Sequence, residues 1–285
     1  MSDAAAEALA FKKTFDVLHA LIYFAPEAKE RLTALGLEHG SMTYFASRAA
    51  AMGPVGPGVV AATFYNFNPD AVAQAIPRAW EIASPEQVVA ARLEAVDGAY
   101  RRLFGEEVLA SAAVAEAAEL AREAAAGGTP EGRPLYAAHA NLAWPEQPHL
   151  VLWHALTLVR EYRGDAHVAA LTLNGLSGLA ALITHTATGN GTAASSAKRT
   201  RRWSDEQWDA EVAALTADGI LAADGRLTDR GQELRDRVEA ATNAASQGPW
   251  RHLGEGKTAR LAELCGPLAR TVIEAGAIPS MTPRG

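Results

Sequence analysis

The sequence predicts a mainly α-helical protein, with a helical N-terminal domain followed by a winged helix-turn-helix-like part that contains a small β-hairpin. Alanine is abundant and runs of β-branched residues are few, which favours helices over strands. Apolar residues recur at helical spacing and are bounded by residues that cap helices. Asp224-Gly225, flanked by Ile220-Leu221 and Arg226-Leu227, is typical of a two-residue hairpin turn. About half of the 285 residues are apolar (49%), enough for a sizeable core.

The N-terminal half is predicted to be a series of capped helices. The first covers residues 4 to 24, where Phe11, Phe15, Leu18 and Ile22 follow helical spacing. The run of glycine and proline at 53 to 58 fits no regular element. Further helices are expected to begin at Pro26, Ser41, Asn68-Pro69 and Ser84-Pro85, the last reaching Phe104-Gly105, and another covers about 106 to 126.

The middle of the chain begins with Gly-Gly-Thr-Pro-Glu-Gly-Arg-Pro at 127 to 134, which is the best candidate for an internal linker. An amphipathic helix follows from 149 to 163 and is expected to end at Gly164. Asp165 and Ser177 are placed to cap the next two helices. Residues 189 to 198 are predicted to form a loop.

The C-terminal pattern is the clearest in the chain. Ser204 and Gln207 are spaced as a capping box, and their helix is expected to end at Asp218-Gly219. The hairpin signal comes next, and Thr228 is placed to cap a last long helix. Helix, hairpin and helix form the second half of a winged helix. We therefore expect a helical domain at 1–130, a helical and winged-helix-like domain at 131–250, and a helical or irregular tail at 251–285.

Several stretches resemble known helix-turn-helix proteins. Residues 220 to 238, ILAADGRLTDRGQELRDRV, resemble the wing and following helix of MarR-type regulators. The stretches YFASRAAAMGPVG, TFYNFNP, LWHALTLVREYRGDAH and RRWSDEQWDAEVAAL resemble a largely uncharacterised actinobacterial helix-turn-helix family, over about 15 to 245. The resemblance implies a helical domain fused to a winged helix, and it implies no reaction.

The charge pattern argues against DNA reading as the main function. The net charge is -7, and the helix expected at 204 to 219 has five carboxylates and no Lys or Arg. Carboxylates are repelled by phosphates, so we expect the wing to serve packing or the assembly of a homodimer. An alternative is a ligand-responsive transcriptional regulator whose DNA contacts are Arg199, Arg201, Arg202 and Arg226. A second candidate recognition helix lies at 177 to 187.

The leading expectation is a small-molecule ligand held in a polar-lined pocket between helices. Polar side chains within apolar helices must find partners, and several of them could converge on one site. Arginines could clamp an acidic ligand. The candidate ligand-binding residues are Tyr44, Arg48, Tyr65, Asn66, His139, Trp144, Arg160 and Arg163.

An enzyme that uses the same pocket is the other alternative. His154, Glu161 and His167 are the candidate catalytic residues, with histidine as acid or base. His154 and Glu161 could also contribute to a metal site with His167 or His185, but no recognised ligand spacing supports one, so no metal is predicted. No P-loop, nucleophile elbow or dinucleotide fingerprint occurs, and no cofactor can be named.

A cytoplasmic protein is expected. The single cysteine, Cys265, allows no intrachain disulfide, which fits a reducing compartment. The N-terminus has no apolar signal core, and no run of eighteen apolar residues is present.

Overall fold

The computed structural model describes residues 14–189 and 193–278, and their regular structure consists of helices. Two short 3-10 turns, Leu21–Tyr23 and Ala50–Met52, connect helices in the N-terminal half. The α-helices are α1 (Asp16–Ala20), α2 (Pro26–Ala34), α3 (Ser41–Ala49), α4 (Pro57–Thr63), α5 (Pro69–Ala75), α6 (Arg78–Ile82), α7 (Pro85–Leu109), α8 (Ala112–Ala125), α9 (Pro134–Ala140), α10 (Pro148–Leu173), α11 (Gly178–Ala187), α12 (Ala194–Arg201), α13 (Asp205–Ala217), α14 (Asp229–Ala245), α15 (Gly248–Leu253) and α16 (Glu255–Glu274).

Helix α10 is the central element of the fold. It is buried around most of its circumference from His149 to Tyr162, as expected for a helix surrounded by others. It packs against α1, α7, α8, α9 and α14. Its apolar residues therefore contact both halves of the chain, and its polar residues must find partners inside the protein.

The apolar residues form three clusters. The largest combines α1, α7, α8 and α10 with α15 and α16, so the C-terminal helices pack back onto the N-terminal half. A second cluster joins α2 to α7 and includes Phe45, Phe64 and Phe67. The third is built around α11 and contains the end of α10 together with Trp208, Ile220 and Val238. This third cluster is the C-terminal helical unit considered below.

Most predicted helix starts in the described residues are confirmed. The side chain of Asn68 accepts a hydrogen bond from the main-chain N–H of Asp70 and caps α5. Ser84 and Ser204 form capping boxes with the glutamines three residues later. Thr228 caps α14. These local signals depend only on neighbouring residues, which is why the sequence alone reveals them.

The mainly α prediction is confirmed, but the winged helix with a β-hairpin is wrong. In the described ranges, no strand is present between α13 and α14, where Leu221 and Leu227 form one isolated antiparallel bridge. The connection is too short for a longer ladder. Gly219, with φ 68°, ends the turn after α13, and Thr228 already caps α14. The pairing consists of two main-chain hydrogen bonds, from Ala222 N–H to the Arg226 carbonyl oxygen and from Thr228 N–H to the Ile220 carbonyl oxygen.

One other local expectation, the end of a helix at Gly164, is also wrong. Helix α10 continues through Gly164 to Leu173, because the side chain of Asp165 accepts a hydrogen bond from Tyr136 N (2.8 Å) instead of capping a new helix. At the start of the predicted linker, Gly127 and Gly128 are closely packed, whereas residues 129 to 132 are exposed. A Cβ atom at Gly127 would lie 2.3 Å from His252 Cβ, and one at Gly128 would lie 2.3 Å from the Tyr136 hydroxyl.

Among the described residues, no single helix is both long enough and apolar enough to cross a membrane. The pair α10 and α11 passes that test by length and composition only, and the two helices are bent by 100° where they meet.

Candidate nucleic-acid interface

Two helices joined by a tight turn lie on the outside of the C-terminal unit. Helix α12 ends at Arg201, and α13 begins at Asp205 after the three residues Arg202, Trp203 and Ser204. Arg202 adopts the left-handed conformation with φ 64°, which reverses the chain without a glycine. A three-residue connection between consecutive helices is the length found in helix-turn-helix motifs.

Helix α13 has an exposed face. Trp208 and Leu215 are buried against α11, whereas Asp205, Glu206 and Asp209 are exposed. Alanines complete the exposed face, at 210, 213, 214 and 217. The face is thus acidic at its N-terminal end and bears small side chains farther along, so the helix backbone can approach another surface closely.

The basic residues near this turn have different surroundings. The ammonium of Lys198 forms an ion pair with Asp205, across the turn. Arg201 is half-buried, with its guanidinium over the ring of Phe67 at 4.4 Å and its Nε donating to Asn66 Oδ1 (3.2 Å). Arg199 and Arg202 are exposed, and within the described part of the chain neither forms a salt bridge. These two arginines are therefore the cations of the turn that are open to an external anion.

Arg226 lies at the tip of the turn between α13 and α14. Its side chain is 83% exposed and forms an ion pair with the neighbouring Asp224 (3.1 Å). An exposed pair of this kind contributes little to stability, so the arginine can exchange it for another anion at low cost.

The second recognition helix expected from the sequence is α11. The angle of 100° to α10 and a four-residue connection containing Gly175 (φ 71°) suit a helix-turn-helix. However, α11 is buried from Leu179 to Thr184. Its first residue, Gly178, is so close to the main chain that a Cβ atom there would lie 1.9 Å from the Tyr65 carbonyl oxygen. Helix α11 therefore cannot enter a DNA groove in this structure.

Tyr65 and Asn66 belong to a segment that holds the C-terminal unit. The hydroxyl of Tyr65 donates to the carbonyl oxygen of Leu176, in the turn before α11. The carbonyl oxygen of Asn66 accepts a hydrogen bond from the Trp203 indole (2.9 Å). Both residues were expected to bind a ligand, and in the structure they bind other parts of the chain.

A buried ion network connects α3, α10 and α1. Glu161 is 1% exposed and accepts hydrogen bonds from Arg48 (3.2 Å) and Arg160 (3.1 Å). Arg160 also contacts Asp16 (3.2 Å), and Arg48 contacts the Tyr44 hydroxyl (3.1 Å). Burial alone would raise the pKa of Glu161, but the two guanidinium groups outweigh it and hold the pKa well below its usual range.

Three further polar residues of this region lie in the core. Arg92 donates to His139 Nε2 (2.9 Å), and its guanidinium lies over the Trp153 ring at 4.9 Å. His154 packs edge-on against Trp144. Burial first, and then the charge of Arg92, lower the pKa of His139 to about 3 and that of His154 to about 4. Both imidazoles are therefore neutral near pH 7.

The proposed catalytic set is not brought together. His167 interacts with Thr242 on α14 through Nδ1 (2.9 Å), and burial lowers its pKa to about 4. Arg163 likewise faces α14 and contacts Glu239 and Asn243. None of the hydrogen bonds formed by the described residues joins two of His154, Glu161 and His167. The three side chains face different neighbours of α10.

Neither metal nor thiolate chemistry has an arrangement to support it. Within 14–189 and 193–278, no three His, Cys, Asp or Glu side chains are placed to share a metal ion. Cys265 is buried in the main cluster, where burial raises the pKa of its thiol to about 12. At neutral pH this thiol is protonated and therefore a weak nucleophile.

The comparison with protein families identifies the chain. A model described as "helix-turn-helix family" matches residues 8–279, which is nearly the whole sequence. The chain belongs to this helix-turn-helix family. No curated protein and no solved structure matches it.

Family membership corrects the main function expected from the sequence. A helix-turn-helix family points to DNA binding, so small-molecule binding as the principal function is wrong. The structure shows the physical reason. Polar residues that were expected to line a pocket contact one another or the main chain, as Arg48 does with Glu161 and Asn66 with Trp203. Sequence spacing predicted that such residues were buried, but could not show that they were each other's partners.

Some residues that hold the helix-turn-helix were not evident from the sequence pattern. Asn68 was predicted only as a cap for α5, yet its Nδ2 donates to the Arg202 carbonyl oxygen (2.9 Å) and to Gln207 Oε1 (3.1 Å). The ring of Phe67 lies under the Arg201 guanidinium, at 4.4 Å. The signal was present in TFYNFNP, where two asparagines and three aromatics are more than an N-cap requires.

Proposed function

We propose that this protein is a DNA-binding regulator in which α12, the turn Arg202–Ser204 and α13 form the helix-turn-helix. Family membership over 8–279 is the observation that carries the proposal. The exposed face of α13 and the tight turn before it support this choice of helices. The stretch RRWSDEQWDAEVAAL, which resembles a largely uncharacterised actinobacterial helix-turn-helix family, covers this turn and most of α13.

The acidic α13 is compatible with DNA binding if cations beside it contact the phosphates. Phosphate contacts supply most of the affinity and fix the orientation of the protein, while base contacts supply specificity. Arg199, Arg202 and Arg226 are exposed on the segments that flank α13. We assign the phosphate contacts to these three residues. Arg201, which the sequence grouped with them, instead packs on Phe67 and donates a hydrogen bond to Asn66.

The small residues on the exposed face of α13 bring its backbone close to the partner surface. Carboxylates on a recognition helix can accept hydrogen bonds from the amino group of cytosine in the major groove. Asp205, Glu206 and Asp209 at the N-terminal end of α13 are where helix-turn-helix proteins make base contacts. In this proposal, the acidic helix supplies selectivity and the flanking arginines supply affinity.

The proposal is tested by binding to a labelled 30-bp duplex of random sequence, measured by fluorescence anisotropy across a range of salt concentrations. Each phosphate contact contributes roughly 0.9 to the slope of log K against log salt. The double variant Arg199→Glu with Arg202→Glu is expected to weaken binding at least tenfold and to lower the slope by about 2.

The matched control is Arg251→Glu with Arg270→Glu. It changes the net charge equally, at two exposed arginines on α15 and α16. This control should bind within about twofold of the wild-type protein. Equal losses of DNA affinity in the two double variants would show that binding depends on net charge and not on the positions of the arginines. No binding by the wild-type protein, even at low salt, would contradict the proposed function.

A further inference from the structure

The strongest unexplained feature of the molecule is the junction between the segment Tyr65–Asn68 and the turn of the helix-turn-helix. The main-chain N–H of Asn68 donates to the Arg201 carbonyl oxygen (3.0 Å), and its side-chain Nδ2 donates to the Arg202 carbonyl oxygen (2.9 Å). Two consecutive carbonyl groups at the end of α12 are thus held by one residue from the other half of the chain. Asn68 is 7% exposed, so water competes little for these bonds.

The junction also reaches the start of α13. The same Nδ2 of Asn68 donates to Gln207 Oε1 (3.1 Å), and that oxygen accepts the main-chain N–H of Ser204 (3.1 Å). Gln207 and Ser204 form the capping box of α13. Asn68 therefore contacts the last turn of α12 and the first turn of α13, and fixes one relative to the other.

The backbone on both sides of this junction is strained. Tyr65 (φ 26°) and Arg202 (φ 64°) are the non-glycine residues with positive φ in the described ranges. Such conformations are unfavourable for residues other than glycine and persist where surrounding contacts enforce them. Here those contacts are the hydrogen bond from Tyr65 to Leu176 and the hydrogen bond from Asn68 to Arg202. Tyr65 lies in the segment and Arg202 in the turn that the junction joins, so both sides of the junction contain a strained residue.

Only a carboxamide meets every demand at position 68. Its Oδ1 caps α5 by accepting a hydrogen bond from the Asp70 N–H (3.0 Å). Its Nδ2 donates to the Arg202 carbonyl oxygen and to Gln207 Oε1. Serine and aspartate are equally good caps but have no amide donor. The capping role is separable from the turn-holding role, so a substitution can remove one and retain the other.

We infer that Asn68 is a positioning residue for DNA recognition, which holds the N-terminal end of α13 in the orientation needed for base contacts without touching DNA. This inference rests on the proposed function. It goes beyond it by assigning the alignment of the recognition helix to a residue of the N-terminal half. Arg201 on Phe67 and Trp203 on Asn66 complete the same junction.

The test uses the full-length protein and a duplex enriched by repeated selection from a random-sequence pool, with a scrambled duplex of equal composition. The variant is Asn68→Ser, which keeps a cap for α5, the main-chain bond to Arg201 and the net charge. Its control is Ser111→Gly, which alters the cap of α8 far from the junction. A second variant, Asn68→Gly, tests the same loss if serine prevents folding.

A positioning role predicts a selective effect. Asn68→Ser should reduce the preference for the selected duplex over the scrambled one about tenfold, while affinity for the scrambled duplex and the salt slope stay within error. Base contacts need an aligned helix, whereas phosphate contacts from exposed arginines tolerate some misalignment. The Trp203 indole N–H signal in a ¹H–¹⁵N spectrum should shift, and that of Trp250 should not. The Ser111→Gly control should retain the full preference.

The outcomes separate the two proposals. Failure of the wild-type protein to enrich or bind any duplex would remove the proposed function, and this inference with it. A folded Asn68→Ser protein with wild-type preference, or with equal losses on both duplexes, would overturn the inference and leave DNA binding in place.

Discussion

Glu161 on α10 accepts hydrogen bonds from Arg48 on α3 at 3.2 and 3.3 Å, and so joins the largest apolar cluster to the second one. The carboxylate is 1% exposed and the guanidinium 11% exposed. A pair this deeply buried is costly to break, because one charge is left without its partner. This buried ion pair therefore links the largest apolar cluster to the second one.

We expect Glu161→Gln to lower the free energy of unfolding by about 3 to 5 kcal/mol, since buried Arg48 loses its carboxylate partner and Arg160 keeps only Asp16. Asp16→Asn is the control, because Asp16 is 27% exposed and, among the residues that the structure describes, pairs with Arg160 alone. It should cost less than about 1 kcal/mol. The free energies of unfolding of both variants are measured by urea unfolding, followed by circular dichroism. Similar losses in the two variants would contradict the importance given to the buried pair.

Histidine burial predicts that stability decreases on mild acidification. The pKa of His154 is about 4 in the folded protein, below the ordinary value of about 6.5, so the unfolded chain binds the proton more tightly. Stability from this group is complete above about pH 6.5 and is lost as the pH falls toward 4. The loss from His154 alone amounts to about 2 kcal/mol between pH 7 and pH 5.

The variant His154→Leu tests this directly. It keeps an apolar side chain against Trp144, so its stability at pH 7 should differ by less than about 1.5 kcal/mol from that of the wild-type protein. Its decrease in stability between pH 7 and pH 5 should be smaller by about 2 kcal/mol. Denaturant unfolding at the two pH values gives the comparison. An unchanged pH dependence would show that His154 is not the titrating group.

Arg201 should differ from its basic neighbours in its effect. Because its guanidinium packs on Phe67 and donates to Asn66, we expect Arg201→Met to lower the free energy of unfolding by about 1 kcal/mol. The salt slope of DNA binding should stay within about 0.3 of the wild-type value, since no phosphate contact is lost. Arg199→Met should leave the free energy of unfolding nearly unchanged and lower the salt slope by about 1. A fall of about 1 in the slope for Arg201→Met would return this residue to the DNA-contacting set.

The close approach of the α11 backbone to the Tyr65 backbone predicts that position 178 requires glycine. A Cβ atom at Gly178 would lie 1.9 Å from the Tyr65 carbonyl oxygen, so Gly178→Ala should force α11 and the 65–68 segment apart. We expect a loss of about 1 to 3 kcal/mol in stability. At Gly256, in the first turn of α16, a Cβ atom meets nothing within 4 Å. Gly256→Ala should therefore be neutral or stabilise by up to about 1 kcal/mol. Thermal unfolding that ranks the two variants the other way would contradict this packing.

The helical class and most helix starts could be predicted because their signals are local. Ser204 and Gln207 lie one turn apart, and Asn68 caps the helix that follows it directly. The hairpin was wrong because the same Asp-Gly signal serves a turn that is too short for strands. The break expected at Gly164 was wrong because Asp165 has a distant partner, Tyr136. Local rules give no information on such tertiary contacts.

The candidate site could be predicted only in part for the same reason. The basic cluster was visible, but the sequence could not distinguish Arg201, which packs on Phe67, from Arg199 and Arg202, which are exposed. The contact from Asn68 to Arg202 joins residues 134 positions apart. No periodicity or spacing within one segment reports on a pair that distant.

The central claim is that the exposed face of α13 contacts DNA, and photo-crosslinking tests it most directly. Benzoylphenylalanine replaces Ala210 on that face, or Ala275 after α16 as an exposed control, and each protein is irradiated with the selected duplex. We predict a crosslink to DNA from position 210 and none from position 275. Absence of a crosslink from 210, or equal crosslinking from both positions, would contradict the assignment of α13 as the DNA-contacting helix.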